Sequence, residues 1–457
     1  MRKRSGFLLI WLICAAILAV SGCGIGKPRP RLGCYPTSTP GSRFVSADRL
    51  GKHSYGYSPF EKNGITYTCK GGHIDIAHLR ISADNTRYIT TELYKGMLEG
   101  KRDFSFDLTA DKSLHIVKLS YPKNWEQSAD KEAIAKKVSL ELGQYLTFSE
   151  TTWHEMLTWY GYQTMAIFPE QASAFSWEDM YSNLLGIRLA AQALQDNEHG
   201  YNKALTLALD KEMKILGGKS AHFAREAAES VRSQWFEGNV FVSMEKRNLD
   251  IGLDDNYVTP MIVPQVCHGA KPMPYPVPDL DISGYGFSMD YQIRPREFEK
   301  GRILKIVYPN GDGKTIKPNI HFAKIMDDIR KTTLEKYGDE SIVAYDPDKI
   351  KENNHIQIAK DAGVKKSELV KTAVIPNIAK QKYADNVTVT NNKKQEVVRA
   401  AVETKAEPSI KKQTAVKAAA KANNKKQKTV AAAVLVNSKT SVGESLKSLM
   451  STLESQN

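Results

Sequence analysis

Ser176-Trp177-Glu178-Asp179-Met180-Tyr181-Ser182-Asn183-Leu184-Leu185-Gly186-Ile187-Arg188-Leu189 decides the fold class. Ser176 and Asp179 have capping-box spacing, and Tyr181, Leu184, Leu185 and Leu189 then line one side of a helix. The same periodicity runs almost unbroken over 128–216, predicting helices at about 130–145, from 149 to 161, from 176 onward and at 201–216, with a fifth at 219–236. Toward the N-terminus, Asn63-Gly64 signals a turn before a short strand at 65–69. A helix is expected from about 75 or 80 to 99, then a hairpin of 104–108 with 114–121 around Ala110-Asp111-Lys112. Toward the C-terminus, Pro260, Pro264, Pro272, Pro274, Pro276 and Pro278 make 239–310 extended and loop-rich, with short strands at 240–243 and 302–308. A helix at 319–337 closes the body. These elements predict an α+β fold over 60–340, a mainly helical body with small β-hairpin and sheet elements.

The chain's formal charge of +13 over 457 residues first suggests an acidic partner such as nucleic acid. Its distribution says otherwise. Residues 349–457 hold 21 Lys plus Arg against 9 Asp plus Glu, a net +12, with Tyr383 as their one aromatic; the first residues add +3, which leaves 24–348 near −2. A Lys/Ala-rich stretch without aromatics offers too little apolar surface to offset ordering, so 349–457 reads as a disordered basic tail reaching roughly 60 Å. Within it Val442, Leu446, Leu449 and Leu453 form the stripe of a short terminal helix at 442–454. The tail lacks the interleaved aromatics of a single-strand stacking platform, and with a secretory start no nucleic acid partner is expected.

Arg2-Lys3-Arg4 precedes an uncharged apolar run at 7–20, too short for a permanent span and typical of a secretory signal. Val20-Ser21-Gly22-Cys23 resembles the bacterial lipobox, which implies a signal peptide at 1–22 and a lipidated (palmitate-bearing) Cys23. Gly24, where an inner-membrane retention signal would carry Asp, favours the outer membrane of the cell envelope, facing the periplasm. Residues 23–59 then read as a tether. Cys34, Cys69 and Cys267 remain after processing, allowing one internal bridge, with Cys34 to Cys69 the first choice because both flank the start of the folded region.

Three polar sets sit inside apolar or aromatic runs. His154-Glu155 resembles the start of a zincin motif, but Thr158 stands where the second His belongs, so His154 would need ligand partners from elsewhere. Within His73-Ile74-Asp75-Ile76-Ala77-His78, a helix would put Asp75 and His78 on one face, where a carboxylate orients an imidazole. Glu178 and Asp179 open a helix, where acidic residues also complement the helix dipole. Cys69 with His78 is a further pair, excluded if Cys69 is bridged.

Ile65 through Arg80, Trp153-His154-Glu155 with Trp159-Tyr160-Gly161, Phe168-Pro169-Glu170, Ser173 through Ser176, Glu178 through Gly186 and Asn248-Leu249-Asp250-Ile251-Gly252 occur in the order of a bacterial lipoprotein family. Over about 60–310 the chain resembles domain of unknown function 4056, which carries no assigned activity. His73 departs from the apolar residue expected there, which concentrates attention on Asp75 and His78. Two functions are compatible with these features. The one preferred from sequence is a non-enzymatic envelope scaffold or binding lipoprotein, whose tail binds peptidoglycan, lipopolysaccharide or phospholipid. The alternative is an envelope hydrolase in which His78 and His154 hold a divalent metal such as zinc and Asp75, Glu155 and Glu178 do acid-base work.

Overall fold

The computed structural model describes residues 26–108, 111–164, 168–169, 171–239, 242–338 and 341–343. All lie in the first of two units of the chain, Met1–Gly363 and Val364–Asn457. The signal peptide 1–22, Cys23, the tail 349–457 and its stripe at 442–454 fall outside the described residues.

Strands β1 (Ile65–Thr68) and β2 (Gly72–Asp75) form an antiparallel hairpin with Ile65 opposite Asp75. Gly72 has φ +67, and a Cβ there would stand 2.0 Å from the Met261 carbonyl oxygen, so glycine alone fits this return. β2 runs directly into helix α1 (Ile76–Leu98), whose N-cap is Asp75 accepting the Ala77 N–H at 2.7 Å. Helices α2 (Lys131–Trp159) and α3 (Asp179–Gln195) pack on α1, and α4 (Tyr201–Ile215) packs on α3. Leu79, Leu93, Trp153, Met156, Leu157, Met180, Leu184 and Leu185 are buried between them. A second cluster gathers Tyr67, Trp177, Trp235 and Phe236 beside α5 (Ala221–Ser230). Strands β3 (Asp103–Phe106), β4 (Leu114–Ser120) and β5 (Ser288–Arg294) make an antiparallel sheet in the order β5-β4-β3. Helix α6 (Lys300–Val307) packs on α7 (Pro318–Tyr337), the latter with proline in its first turn. The architecture is α+β and mainly helical.

Five expectations are corrected. The break expected between 145 and 149 is absent, because Thr147 Oγ1 donates to the Gly143 carbonyl and Thr151 Oγ1 to that of Phe148, satisfying the hydroxyls without interrupting the helix. The β-branched run at 302–308 lies mostly in α6, where Ile303 and Val307 bury one face at i, i+4 spacing. The helix expected at 219–236 ends at Ser230. The segment expected to be extended and loop-rich, 239–310, also contains strand β5, whose burial alternates at Tyr291 and Ile293.

The tether expected at 23–59 is also not free chain from residue 26 onward. Arg31 is buried, its Nη1 donating to Asp84 Oδ2 at 2.7 Å and its Nε to Glu61 Oε2 at 3.0 Å. His53 Nε2 lies 3.0 Å from Asp84 Oδ1, and Arg80 donates to the carbonyls of Leu50 (3.0 Å) and Lys62 (2.9 Å). Every member of this ionic cluster has partners, which is the condition for burying charge.

The α1–α3 crossing depends on Gly186, where a Cβ would stand 2.0 Å from the Leu79 carbonyl oxygen. Gly186→Ala is expected to lower unfolding free energy by roughly 2 kcal/mol or more in chemical denaturation. Gly301→Ala, whose Cβ meets nothing within 4 Å, is expected to be neutral or stabilising. Equal stabilities for the two variants would contradict the close helix contact.

Candidate functional site

Asp75, His78 and Asp179 meet where the start of α1 faces the start of α3. His78 stands one turn after Asp75, so the cap itself aims the carboxylate at the ring. His78 Nδ1 lies 3.4 Å from Asp75 Oδ2 and 3.3 Å from Asp179 Oδ1. Both carboxylates are buried, while the His78 side chain retains 31% of its exposure. Asp75 is fixed by three further bonds: its N–H donates to Ser182 Oγ (3.0 Å), Oδ1 accepts from Ala77, and Oδ2 accepts the Cys34 N–H (3.0 Å). Burial opposes a charge on His78, but Asp75 and Asp179 overcome it and hold the imidazole pKa well above 6.5. The shift favours the imidazolium form.

Glu178 and Glu155 complete an acidic bed. Ser176 Oγ donates to Glu178 Oε2 at 2.7 Å and lies 3.0 Å from Asp179 Oδ2, which also accepts the Ser176 N–H at 2.8 Å. Glu155 Oε2 accepts the Phe175 N–H at 2.8 Å. Phe175 is buried and non-glycine at φ +53, a strained backbone that presents its N–H to Glu155 and its carbonyl to the Asn248 N–H. Burial, then repulsion from Asp179, pushes Glu155 up to about 8 and Glu178 well above its ordinary 4.5. Both are shifted toward the protonated, neutral form. Arg247 is fully buried, donating to the carbonyls of Ala174 and Met244, and within electrostatic reach of Asp179 and Glu155.

His154 occupies a neighbouring cluster. Its Nδ1 lies 3.8 Å from Asp111 Oδ2 and its side chain is 20% exposed. Glu150, held by Asn85 Nδ2 at 3.2 Å, is pushed to about 8 by burial and then by Asp111. Glu155 feels both His78 and His154 electrostatically and so lies between the two clusters. The structure places Asp75 against His78 and Glu155 and Glu178 within electrostatic reach of it, and leaves His154 with a different carboxylate. Among the described residues no group of three His, Cys, Asp or Glu could hold a metal ion. The expected zinc site on His78 and His154 does not fit this donor arrangement, and no chemistry is routed through it.

The expected Cys34 to Cys69 bridge is corrected. Cys69 is bonded to Cys267, with a Cα–Cα distance of 5.5 Å, because the β1–β2 turn lies against the proline-rich segment after 260. Cys34 is a free thiol over the site. A Cβ added to the adjacent Gly33 would stand 2.9 Å from Asp75 Oδ2 and 3.3 Å from His78 Nε2, so residues 33 and 34 roof one edge of the imidazole. Burial raises the Cys34 pKa, which keeps it a thiol and excludes a preformed thiolate beside His78. His73 is structural: Trp177 Nε1 donates to its Nδ1, its Nε2 lies 3.0 Å from the Ala224 carbonyl, and burial lowers it to about 4. Sequence reasoning missed Arg247, since nothing in Glu245-Lys246-Arg247-Asn248 marks a buried cation.

Because Glu155 binds its proton more tightly in the folded state, its contribution to stability is fully present below pH 4.5. It is lost as pH rises through about 8. Glu155→Gln imitates the protonated form. The stability of this variant relative to wild type is expected to rise between pH 5 and 8, by up to about 1 kcal/mol per pH unit. A pH-independent difference in denaturation experiments would contradict a buried neutral Glu155.

No curated protein matches the chain, and no solved structure does. One family model, described as a protein of unknown function, matches residues 42–249, which include α1 to α5 and all four carboxylates around His78. Residues 42–249 of this chain are similar to the DUF4056 family.

Proposed function

We propose that this protein is a lipid-anchored hydrolase of the bacterial cell envelope, with His78 as its acid-base group. One observation carries the reading: two buried carboxylates, Asp75 and Asp179, lie against an imidazole that still reaches solvent, and two more buried acids, Glu155 and Glu178, stand within electrostatic reach of it. Crowding four acids in a low-dielectric interior destabilises the fold, and such clusters concentrate at functional sites. A purely structural histidine gains nothing from an open edge.

In this reading the imidazolium donates its proton to the leaving group as a water attacks the scissile bond, and the neutral imidazole left behind takes the proton that the attacking water loses, restoring the imidazolium. Asp75 and Asp179 fix the ring through Nδ1, and Glu155 and Glu178, held neutral, leave the bed with fewer competing charges. Anchoring rests on the basic start, the apolar run at 7–20 and Val20-Ser21-Gly22-Cys23. Lipidation at Cys23 would place the domain on the outer membrane facing the periplasm. The net +12 tail would contact an anionic surface, whether peptidoglycan, lipopolysaccharide or phospholipid. No helix of the described residues is long and apolar enough to cross a membrane.

Turnover should be assayed on peptidoglycan, peptide and ester substrates with wild type, His78→Ala and His78→Gln, all checked for native circular dichroism. Both variants are expected to lose about 10²–10⁴-fold in kcat/KM. Wild type inactive on all three classes, or His78→Ala as active as wild type, would overturn the enzyme in favour of a non-enzymatic envelope scaffold.

A further inference from the structure

Apart from Phe298, the most exposed large apolar side chains among the described residues are Leu32 (81%), Tyr57 (85%) and Phe60 (76%). Hydrogen bonds place them on one surface. Arg29 Nε donates to the Gly56 carbonyl (2.9 Å), Arg31 Nη2 to that of Ser54 (3.0 Å), and Tyr55 OH to that of Gly26 (2.7 Å). The chain at 26–32 thus runs beside 54–61. The same loop is pinned to α4, with the Tyr55 N–H on Asn202 Oδ1 and the His53 N–H on Thr206 Oγ1. There a cavity of about 380 Å³ is lined by Lys52, His53, Asn202, Lys203, Thr206 and Leu207. Lys52, Lys203 and Leu207 are exposed.

Charge on this surface departs from that of the body. Residues 26–62 carry seven Lys plus Arg against Asp48 and Glu61, although 24–348 as a whole is near −2. Glu61 is taken up by Arg29 and Arg31, Lys27 pairs with Asp107 and Arg49 with Asp48, which leaves Arg43, Lys52 and Lys62 as this stretch's exposed cations outside those pairs. Exposed aromatic and aliphatic side chains beside a largely apolar cavity rimmed by two lysines match the interface of an anionic bilayer: rings at headgroup level, ammonium groups on phosphate.

We infer that the surface formed by Leu32, Tyr57, Phe60 and Leu207 docks on an anionic phospholipid bilayer, with Lys52 and Lys203 taking a lipid phosphate. This rests on the lipid-anchor reading for one point, chain length. Only Gly24 and Ile25 separate Cys23 from Gly26, three peptide steps that span at most about 11 Å. Gly26 is bonded to Tyr55, so an acylated Cys23 holds this loop at the membrane. Gly33 and Cys34, the roof of the His78 site, follow directly from Leu32. Docking therefore presents that site to material at the membrane surface.

The full chain, purified from bacterial membranes and reconstituted in phosphatidylethanolamine/phosphatidylglycerol vesicles, should be compared by hydrogen exchange with the same protein in detergent. Backbone amides of 50–62 are expected to exchange at least about 5-fold more slowly on vesicles. Combined Leu32→Ser, Tyr57→Ser and Phe60→Ser changes are expected to remove the protection. Lys52→Gln with Lys203→Gln, in the Cys23→Ser chain, is expected to weaken vesicle binding on the order of 10-fold. Mass spectrometry of the N-terminal peptide reports acylation separately. An acylated protein whose 50–62 amides are unprotected on vesicles overturns docking while the anchor stands. An unacylated chain that still gains vesicle-dependent protection supports docking and refutes the anchor, and one with neither overturns both.

Discussion

A single buried carboxylate, Asp75, carries the constraint on which the site depends. Through Oδ1 it caps α1, and through Oδ2 it holds the Cys34 amide and faces the His78 ring. Helix start, N-terminal strap and imidazole orientation are therefore set by one side chain. Ser182 bonds its backbone from α3, which brings Asp179 to the other side of the same nitrogen. An isolated carboxylate at this depth would protonate, and burial does push Asp75 up; the imidazolium opposes that shift and makes the charge tolerable. The two groups stabilise each other's ionised forms, and neither position is independent of the other.

The second ionic cluster explains how an irregular N-terminal segment stays in place. Residues 26–62 have almost no regular secondary structure, yet Arg31 reaches through the strap to Asp84 on α1 and to Glu61. Removing one partner would leave a buried charge uncompensated, a loss of about 3–5 kcal/mol. The cluster and Asp75 grip the same short stretch from either side of Leu32 and Gly33. That stretch joins the exposed basic face to the roof over His78.

What was legible in the sequence followed from local periodicity. The existence of α1, the positions of α3, α4 and α7, and the hairpin of β3 with β4 all rest on contacts within one element or its neighbour. The Asp75–His78 pair was legible for the same reason. Misreadings came where distant partners decide. The run at 302–308 has the composition of a strand, and α7 selects the helix by covering Ile303 and Val307. Cys69 finds Cys267 across 198 residues, a pairing no local spacing encodes. Arg31 and Arg247 sit in sequences that read as solvated surface, and only the fold supplies their partners, Asp84 and Glu61 for Arg31 and the Ala174 and Met244 carbonyls for Arg247. His154 was joined to His78 because both lie in aromatic or apolar runs, but α2 delivers it to Asp111.

The central claim is that buried acids hold a solvent-reaching imidazole in its charged form. Its most direct measurement is an NMR titration of the histidine side chains, with the His78 resonance assigned by its loss in His78→Gln. The account predicts a His78 pKa clearly above 6.5 that falls toward that value in Asp179→Asn. A His78 titrating at or below 6.5 in the wild-type protein would contradict it.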